Sequence, residues 1–317
     1  MYTLRYATLA DAADISAIHC SDIQQWYKGH FDDEGIRHRV EAPWEECSLI
    51  DRFEMGGAWM SPELCAIHLN RMLTEDDHIP LVLEVDGKVV GELEVFVGKD
   101  DIYGMNANLS VFYVHKEWRS QGLGSILLED AINLVREIGC DTFTTYNPEI
   151  PDYYARYGLI ADRTLKLVVL ETEAYADCLA SRRAALPSFN WLSSLKILSG
   201  RVLSARQLHW LLREESYPGG YAIPAAWRRR DYSRIVTHHT GKSFFVLRDR
   251  SGRGSWATVH LWGTELSEAL IKTILSVGKN LGFMAIHFVV DCNDLGYFAG
   301  FNHGPPVDST IIHCLKL

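Results

Sequence analysis

Residues 114–125 read VHKEWRSQGLGS and lie between a strand-like segment, residues 108–114, and a run of apolar residues at helical spacing, residues 126–138. Two glycines, Gly122 and Gly124, stand at the turn, where they permit positive φ and let a bound group approach the backbone. The first amides of a helix have no acceptor inside it, and the helix dipole favours negative charge at that end. The stretch therefore predicts an anion site at residues 119–125.

The composition sets limits on the class of protein. With 317 residues and 47% hydrophobic content, the chain is expected to form about two domains with a sizeable core. Its net charge of -10 argues against general nucleic-acid binding and suits a cationic substrate, although an acidic surface often serves only solubility. Seven scattered cysteines without a C-x-x-C pair predict free thiols in a reducing compartment. The sequence shows no signal peptide or spanning segment, so we expect a cytoplasmic protein without a membrane partner.

The strongest hairpin signal is Asp86-Gly87, which joins predicted strands over residues 80–85 and 88–97. Because side chains alternate along a strand, Glu92 and Glu94 share one face of the second arm. The segments before the hairpin are predicted as a strand over residues 3–6, a helix capped by Thr8 that reaches about His19, and a long insertion over residues 21–77 with a helix starting at Ser61.

The segments after the predicted anion site complete an alternating pattern. They are a strand over residues 142–146, a turn and helix over residues 147–157 ended by Gly158, a strand over residues 164–170, and a helical linker over residues 172–185. A helix over residues 204–215 follows. The C-terminal third then repeats this order, with strands at 243–248 and 255–261, a helix at 267–281, a strand at 285–290, a short helix at 294–301 and a strand at 309–316.

The glycine stretch resembles the GNAT superfamily of acetyl-coenzyme A-dependent N-acetyltransferases. The family string V-x-P-E-x-R-x-x-G-x-G matches residues 114–124, except that Lys116 replaces the proline. The downstream family pattern of Asn, Tyr and Gly falls on Asn147, Tyr154 and Gly158. The resemblance covers roughly residues 1–170 and implies a mixed, mostly antiparallel sheet flanked by helices in an α/β (α+β) fold.

Competing motifs are incomplete. A dinucleotide-binding fingerprint needs a third glycine where Leu127 stands, and a Walker loop ending at Gly241-Lys242-Ser243 needs a glycine where Val236 stands. The histidines show no H-E-x-x-H spacing, so the sequence predicts no metal site.

The resemblance also implies site residues. Tyr154 would protonate the departing thiolate, and either Glu92 or Glu94 would act as general base; the plainer alternatives are a core aromatic and solvent-exposed acids. The residues that would hold acetyl-CoA are Phe112 and Val114 on the strand, Arg119, Ser120, Gln121, Gly122, Leu123, Gly124 and Ser125 in the loop, and Asn147 and Tyr154 downstream.

The C-terminal repeat is interpreted as a second, degenerate GNAT-like α/β domain. Aligning Gly282 with Gly139 places Trp262, Glu265 and Ser267 where the first copy has Arg119, Gly122 and Gly124, and Tyr154 corresponds to Phe298 after a one-residue slip. We therefore expect a catalytic domain over residues 1–172, a C-terminal domain over residues 173–317, and one cofactor site per chain.

Three functions remain open at this point. The leading one is acetyl transfer from acetyl-CoA to a primary amine of a small, cationic acceptor. The alternatives are a regulatory module that binds an acyl-CoA without turnover and a protein acetyltransferase acting on lysine side chains or N-termini. The sequence leaves the acceptor and the oligomeric state undetermined.

Overall fold

The computed structural model describes residues 2–31, 37–74, 77–184, 195–200, 231–238, 241–248 and 255–317. These residues fall into two compact units. The first contains residues 2–97 and 107–140, and the second contains residues 98–106 and the described residues from 141 onward. Residues 141–171 thus group with the C-terminal part of the chain, whereas a domain boundary at residue 172 stays a prediction.

The first unit is built on four neighbouring strands in the order β1, β4, β5, β6, which are Tyr2–Tyr6, His78–Val85, Lys88–Asp100 and Gly104–Val114. The Asp86-Gly87 turn has positive φ at both residues (49° and 83°), as its sequence predicts for a tight hairpin. Two helices, α1 (Ala12–Cys20) and α3 (Pro62–Met72), contribute to one apolar cluster with Val82 of β4. A Cβ at Gly91 would lie 3.1 Å from Leu127 Cδ2, so glycine permits close approach to α4 (Leu123–Glu137).

The predicted insertion contains more regular structure than its sequence indicated. Helix α2 (Leu49–Gly56) is capped by Ser48, whose hydroxyl accepts from the Asp51 amide at 3.3 Å. A two-stranded sheet, β2 (Tyr27–Phe31) with β3 (Arg37–Glu41), was not predicted. Helix α3 begins after Ser61, as predicted, and ends at Met72.

The second unit contains a mixed, mostly antiparallel sheet in the order β7, β15, β8, β14, β13, β12, β11, β9, with β10 also pairing with β13. Strands β13 and β14 are parallel, and the chain between them forms helix α6. The bounds are β7 Thr142–Tyr146, α5 Pro151–Ala155, β8 Ile160–Glu171, β9 Ser181–Arg183, β10 Lys196–Ser199, β11 Asp231–His238, β12 Gly241–Arg248, β13 Trp256–Gly263, α6 Glu268–Asn280, β14 Ala285–Asp291 and β15 Val307–Lys316.

The C-terminal strand β15 lies between β7 and β8 and pairs antiparallel with both. Its partner β8 also pairs with β14. The last strand of the chain is thus inserted between two strands that precede it by more than 130 residues. The apolar core on one face of this unit includes Val168, Ile286 and Phe288 from the sheet and Leu270 and Ile274 from α6.

The predicted helix over residues 172–185 is wrong. The described residues 172–184 contain no helix, and Ser181–Arg183 instead form β9, which pairs with β11. Pairing with a distant strand overrides the local helical pattern. The predicted helix over residues 204–215 lies outside the described residues.

The C-terminal repeat is confirmed locally. Helices α4 and α6 end at Glu137 and Asn280, and each is followed two residues later by a glycine with φ of 85°, Gly139 or Gly282. Strands β7 and β14 then begin three residues after these glycines. The two helix-to-strand connections therefore share one spacing, as the sequence alignment predicted.

Candidate active site

The glycine stretch forms the connection between β6 and α4 in the first unit. After Val114 the chain makes a 3-10 turn, Lys116–Trp118, and enters a loop in which Ser120 and Gly122 have positive φ of 61° and 82°. Gly122 is the N-cap of α4 and offers no side-chain cap, and the first turn of the helix carries no acidic residue. The helix start thus combines amides that lack a side-chain cap with a first turn that contains no acidic residue, which suits an anion.

Arg119, the first residue of the loop motif, connects three parts of the first unit. Its Nε donates to the Val114 carbonyl at 2.8 Å. Its two terminal nitrogens donate to the two carboxylate oxygens of Asp22, which follows α1, at 2.8 and 2.5 Å. Beside this pair, the Lys116 amide donates to the Ser21 hydroxyl at 3.1 Å. The end of α1 therefore supports both the 3-10 turn and the loop.

Glu92 and Glu94 lie on β5, next to β6 in the sheet of the first unit. Each side chain is 1% exposed, so the alternative that they are solvent-exposed acids is wrong. Burying a carboxylate is unfavourable unless it gains hydrogen-bonding partners or takes up a proton. The structure supplies a histidine partner for each.

Glu92 is paired with His19 of α1, whose Nε2 contacts Glu92 Oε2. The His19 ring also lies against two aromatic side chains, Trp59 at 5.3 Å and Tyr113 of β6 at 4.2 Å between centroids. The other oxygen, Glu92 Oε1, is buried and has no hydrogen-bond partner in the described part of the chain. Glu92 thus keeps one carboxylate oxygen available for a further donor.

Glu94 has two side-chain hydrogen-bond partners, one more than Glu92. Its Oε1 contacts His68 Nε2 of α3 at 2.9 Å and accepts from Trp59 Nε1 at 2.9 Å. The His68 ring stands edge-on to Trp59 at 4.9 Å. Trp59 therefore lies between the two glutamate–histidine pairs and contacts a member of each.

The two carboxyl groups titrate in opposite directions. Burial raises the pKa of Glu92 to about 7, against the opposing effect of His19. For Glu94 burial acts the same way, but the charge and hydrogen bond of His68 and the hydrogen bond of Trp59 outweigh it, so its pKa is lowered. Burial also raises the pKa of the Cys65 thiol, with further contributions from both glutamates. Glu92 is the carboxyl group whose proton exchanges near neutral pH.

His19, Trp59 and His68 were not predicted as site residues from the sequence. They lie 73, 35 and 26 positions before the glutamates they contact, on or beside helices that local patterns place only approximately. One signal was present: Glu92 and Glu94 interrupt the apolar run VVGELEVFV, residues 89–97. Acids in a strand of this kind require buried partners.

Two predicted site residues belong to the second unit. Asn147 has a φ of 47°, and its side chain accepts from the Ile311 amide at 2.7 Å and donates to the Ser309 carbonyl at 3.2 Å. It therefore anchors β15 beside β7. Tyr154 is in the short helix α5 and stands edge-on to Tyr153 at 5.3 Å. Their assignment to cofactor binding and catalysis stays a prediction.

The corresponding helix start in the C-terminal repeat is built differently. Helix α6 is capped by Ser267, whose hydroxyl accepts from the Leu270 amide at 3.2 Å, and its first turn carries Glu268. Trp262 is completely buried in β13, and Phe298 is completely buried against Phe288 at 5.3 Å. These residues serve the core and the helix cap of the second unit.

Two features are absent from the described residues. No group of three or more histidine, cysteine, aspartate or glutamate side chains is arranged to hold a metal ion. No helix there is both long and apolar enough to cross a bilayer.

Comparison with known proteins agrees with this fold. Residues 76–158 match the family model of the acetyltransferase (GNAT) domain. A GCN5-related N-acetyltransferase from Kribbella flavida has a similar fold at 13% identity and a TM-score of 0.63, with 100% of this chain and 71% of that chain covered. A GCN5-related N-acetyltransferase from Anabaena variabilis also has a similar fold, at 13% identity and a TM-score of 0.63. The match covers 99% of this chain and 72% of that chain.

A third similar structure is a tandem GNAT protein from the clavulanic acid biosynthesis pathway, at 14% identity and a TM-score of 0.51, covering 100% of this chain and 98% of that chain. At these identities the likeness concerns the fold. Residues 76–158 thus match the GNAT acetyltransferase domain, and the chain as a whole shares its fold with these structures.

Proposed function

We propose that this protein is an N-acetyltransferase that transfers the acetyl group of acetyl-CoA to a primary amine of a small, cationic acceptor. The observation that carries the proposal is the presence, in one compact unit, of an uncapped glycine loop suited to an anion and a buried glutamate with one unpartnered oxygen. Acetyl-CoA is the co-substrate of the GNAT family, and its pyrophosphate is the anion that we assign to residues 119–125.

The chemistry of the reaction defines what the protein must do. Acetyl-CoA supplies an acetyl thioester; the acceptor nitrogen attacks its carbonyl carbon, and the carbon–sulfur bond breaks. Phe112 and Val114 on β6 would align the pantetheine arm, and a backbone amide of that strand would stabilise the developing oxyanion. Tyr154 would give its proton to the leaving thiolate. Most of the acceleration would come from positioning the two substrates.

Glu92 is the better candidate for the general base. An acceptor amine is protonated at neutral pH, so a proton must leave before the nitrogen can attack. A group whose pKa lies near 7 can accept that proton and release it again, whereas a carboxyl with a lowered pKa is a weak base. Glu94, which accepts from His68 and Trp59, would contribute a fixed negative charge that favours a cationic acceptor.

Thiol release tests the proposal directly. Purified protein is incubated with acetyl-CoA and a panel of small amines, including polyamines, amino sugars and amino acids, and free thiol is measured. We expect release that depends on one class of amine and that falls about tenfold or more in Tyr154→Phe, which lacks the proton to donate. Tyr157→Phe, a nearby tyrosine change outside the family motif, serves as the matched control and is expected to retain activity.

Two outcomes would favour the other functions. Tight binding of acetyl-CoA with no thiol release from any amine would support a regulatory module. Release that requires a lysine-bearing or free-N-terminal peptide and does not occur with small amines would support a protein acetyltransferase.

A further inference from the structure

We infer that Asp22 is a positioning residue for the cofactor loop: it holds the Arg119 guanidinium so that the amides at the start of α4 are prearranged for the pyrophosphate. This inference rests on the proposed function. The family motif gives no role to the residue that follows α1, and the sequence places Asp22 97 positions away from its partner.

The geometry of the pair supports this role. The carboxylate of Asp22 and the guanidinium of Arg119 meet in a two-point arrangement, which fixes both the distance and the plane of the arginine side chain. The third nitrogen, Nε, is bonded to the Val114 carbonyl at the end of β6. The arginine therefore spans the end of the strand, the end of α1 and the beginning of the loop.

The loop needs external support of this kind. Ser120 adopts a positive φ of 61°, a conformation that non-glycine residues rarely adopt and that the surrounding structure must stabilise. Gly122 offers no side-chain cap to α4. Helix α4 thus begins without local capping, and the fixed Arg119 immediately precedes the strained residue.

The end of α1 also contributes the histidine partner of Glu92. His19 contacts Glu92, Ser21 accepts from the Lys116 amide, and Asp22 holds Arg119, all within four consecutive positions. The end of α1 and the two residues after it therefore hold both the loop and Glu92 in the same unit. Preorganisation of this type increases affinity because less ordering is required when the ligand binds.

If the Asp22–Arg119 ion pair served only folding stability, removing it would change the melting temperature and not the cofactor affinity. Both side chains are substantially exposed, 43% for Arg119 and 37% for Asp22, and exposed ion pairs contribute little to folding stability. Removing the carboxylate should therefore hardly change the melting temperature. If Asp22 positions the loop, the loss should appear in cofactor affinity.

The test is titration calorimetry and steady-state kinetics of Asp22→Asn with acetyl-CoA. We expect Kd and KM for acetyl-CoA to rise about tenfold, with kcat and melting temperature little changed. Arg119→Gln should show a similar rise, and the double variant should be no worse than either single one, because both changes disrupt the same contact. Asp14→Asn, the same substitution at an exposed position early in α1, is the matched control and should leave the Kd unchanged.

Two results would overturn the inference. An unchanged Kd in Asp22→Asn would show that the loop is set without it, and a lower Kd would show that its negative charge opposes the cofactor. Failure of the wild-type protein to bind acetyl-CoA at all would instead contradict the proposed function, so the two failures are distinguishable.

Discussion

Helices α4 and α6 follow corresponding strands in the two halves of the chain, and their C-terminal ends are alike, but their N-terminal ends differ. Helix α4 begins after a loop with two positive-φ residues, lacks a side-chain cap and has no acid in its first turn. Helix α6 begins five residues after β13 ends, is capped by Ser267, and carries Glu268, which pairs with Lys272 at 2.9 Å.

This difference shows that the same strand-to-helix connection can either leave the first helix amides available to a ligand or satisfy them with a side-chain cap that stabilises the fold. A hydroxyl cap satisfies an orphan amide, and a glutamate in the first turn interacts favourably with the helix dipole, so α6 needs no external anion. The first amides of α4 receive no side-chain cap, and the first turn of this helix contains no acidic residue. We therefore propose that the cofactor binds at the start of α4 and not at the start of α6.

The largest expected effect concerns Glu92, the buried carboxyl group that we propose as general base. Glu92→Gln should lower kcat about hundredfold at pH 8 and abolish the rise of activity with pH near 7, since glutamine cannot take a proton. A pH profile of kcat with the preferred amine measures both. Glu129→Gln, an exposed acid on α4, is the control, and equal profiles for wild type and Glu92→Gln would remove Glu92 from the mechanism.

The same carboxyl group should make folding stability depend on pH. The folded protein holds the Glu92 proton to about pH 7, whereas an unfolded glutamate releases it near 4.5, so the folded state binds more protons between these values. The free energy of unfolding from this group should fall, by up to about 3 kcal/mol, as pH rises through that window. Denaturant unfolding of wild type and Glu92→Gln measures it; parallel pH curves for the two would contradict the raised pKa.

A smaller effect is expected at the capped start of α6. Ser267→Ala removes the side-chain cap of α6 and should lower the free energy of unfolding by about 1 kcal/mol. The Kd for acetyl-CoA should not change, because the proposal places the cofactor at the start of α4 and not of α6. A gain or loss of cofactor affinity would break the contrast between the two helices.

The smallest effect is expected at Asn147. Its amide forms two hydrogen bonds to the β15 backbone at an exposed position, so Asn147→Ala should reduce the free energy of unfolding by about 1 kcal/mol or less. The Kd of the variant for acetyl-CoA decides its other role: a tenfold rise would support the cofactor contact implied by the family resemblance, and an unchanged value would restrict Asn147 to anchoring β15.

The features that local sequence predicts well are those with local causes. The Asp86-Gly87 turn, the glycine loop before α4 and the helix cap at Ser61 each follow from a few neighbouring residues. The histidine partners of Glu92 and Glu94 could not be read in this way, because each contact joins residues far apart in the chain. The same reason applies to the insertion of β15 between β7 and β8, and to β9, where pairing with β11 replaced a predicted helix.

Titration calorimetry with acetyl-CoA tests the central claim most directly. We predict one site per chain in the wild type, a loss of affinity of about hundredfold or more in Gly124→Glu, which places an acid in the first turn of α4, and an unchanged Kd in Glu268→Gln, which removes the acid from α6. A smaller loss of affinity in Gly124→Gln than in Gly124→Glu would show how much of the effect comes from the negative charge and how much from the size of the side chain. Two sites per chain, or an unchanged Kd in Gly124→Glu, would contradict the assignment of the cofactor to the start of α4.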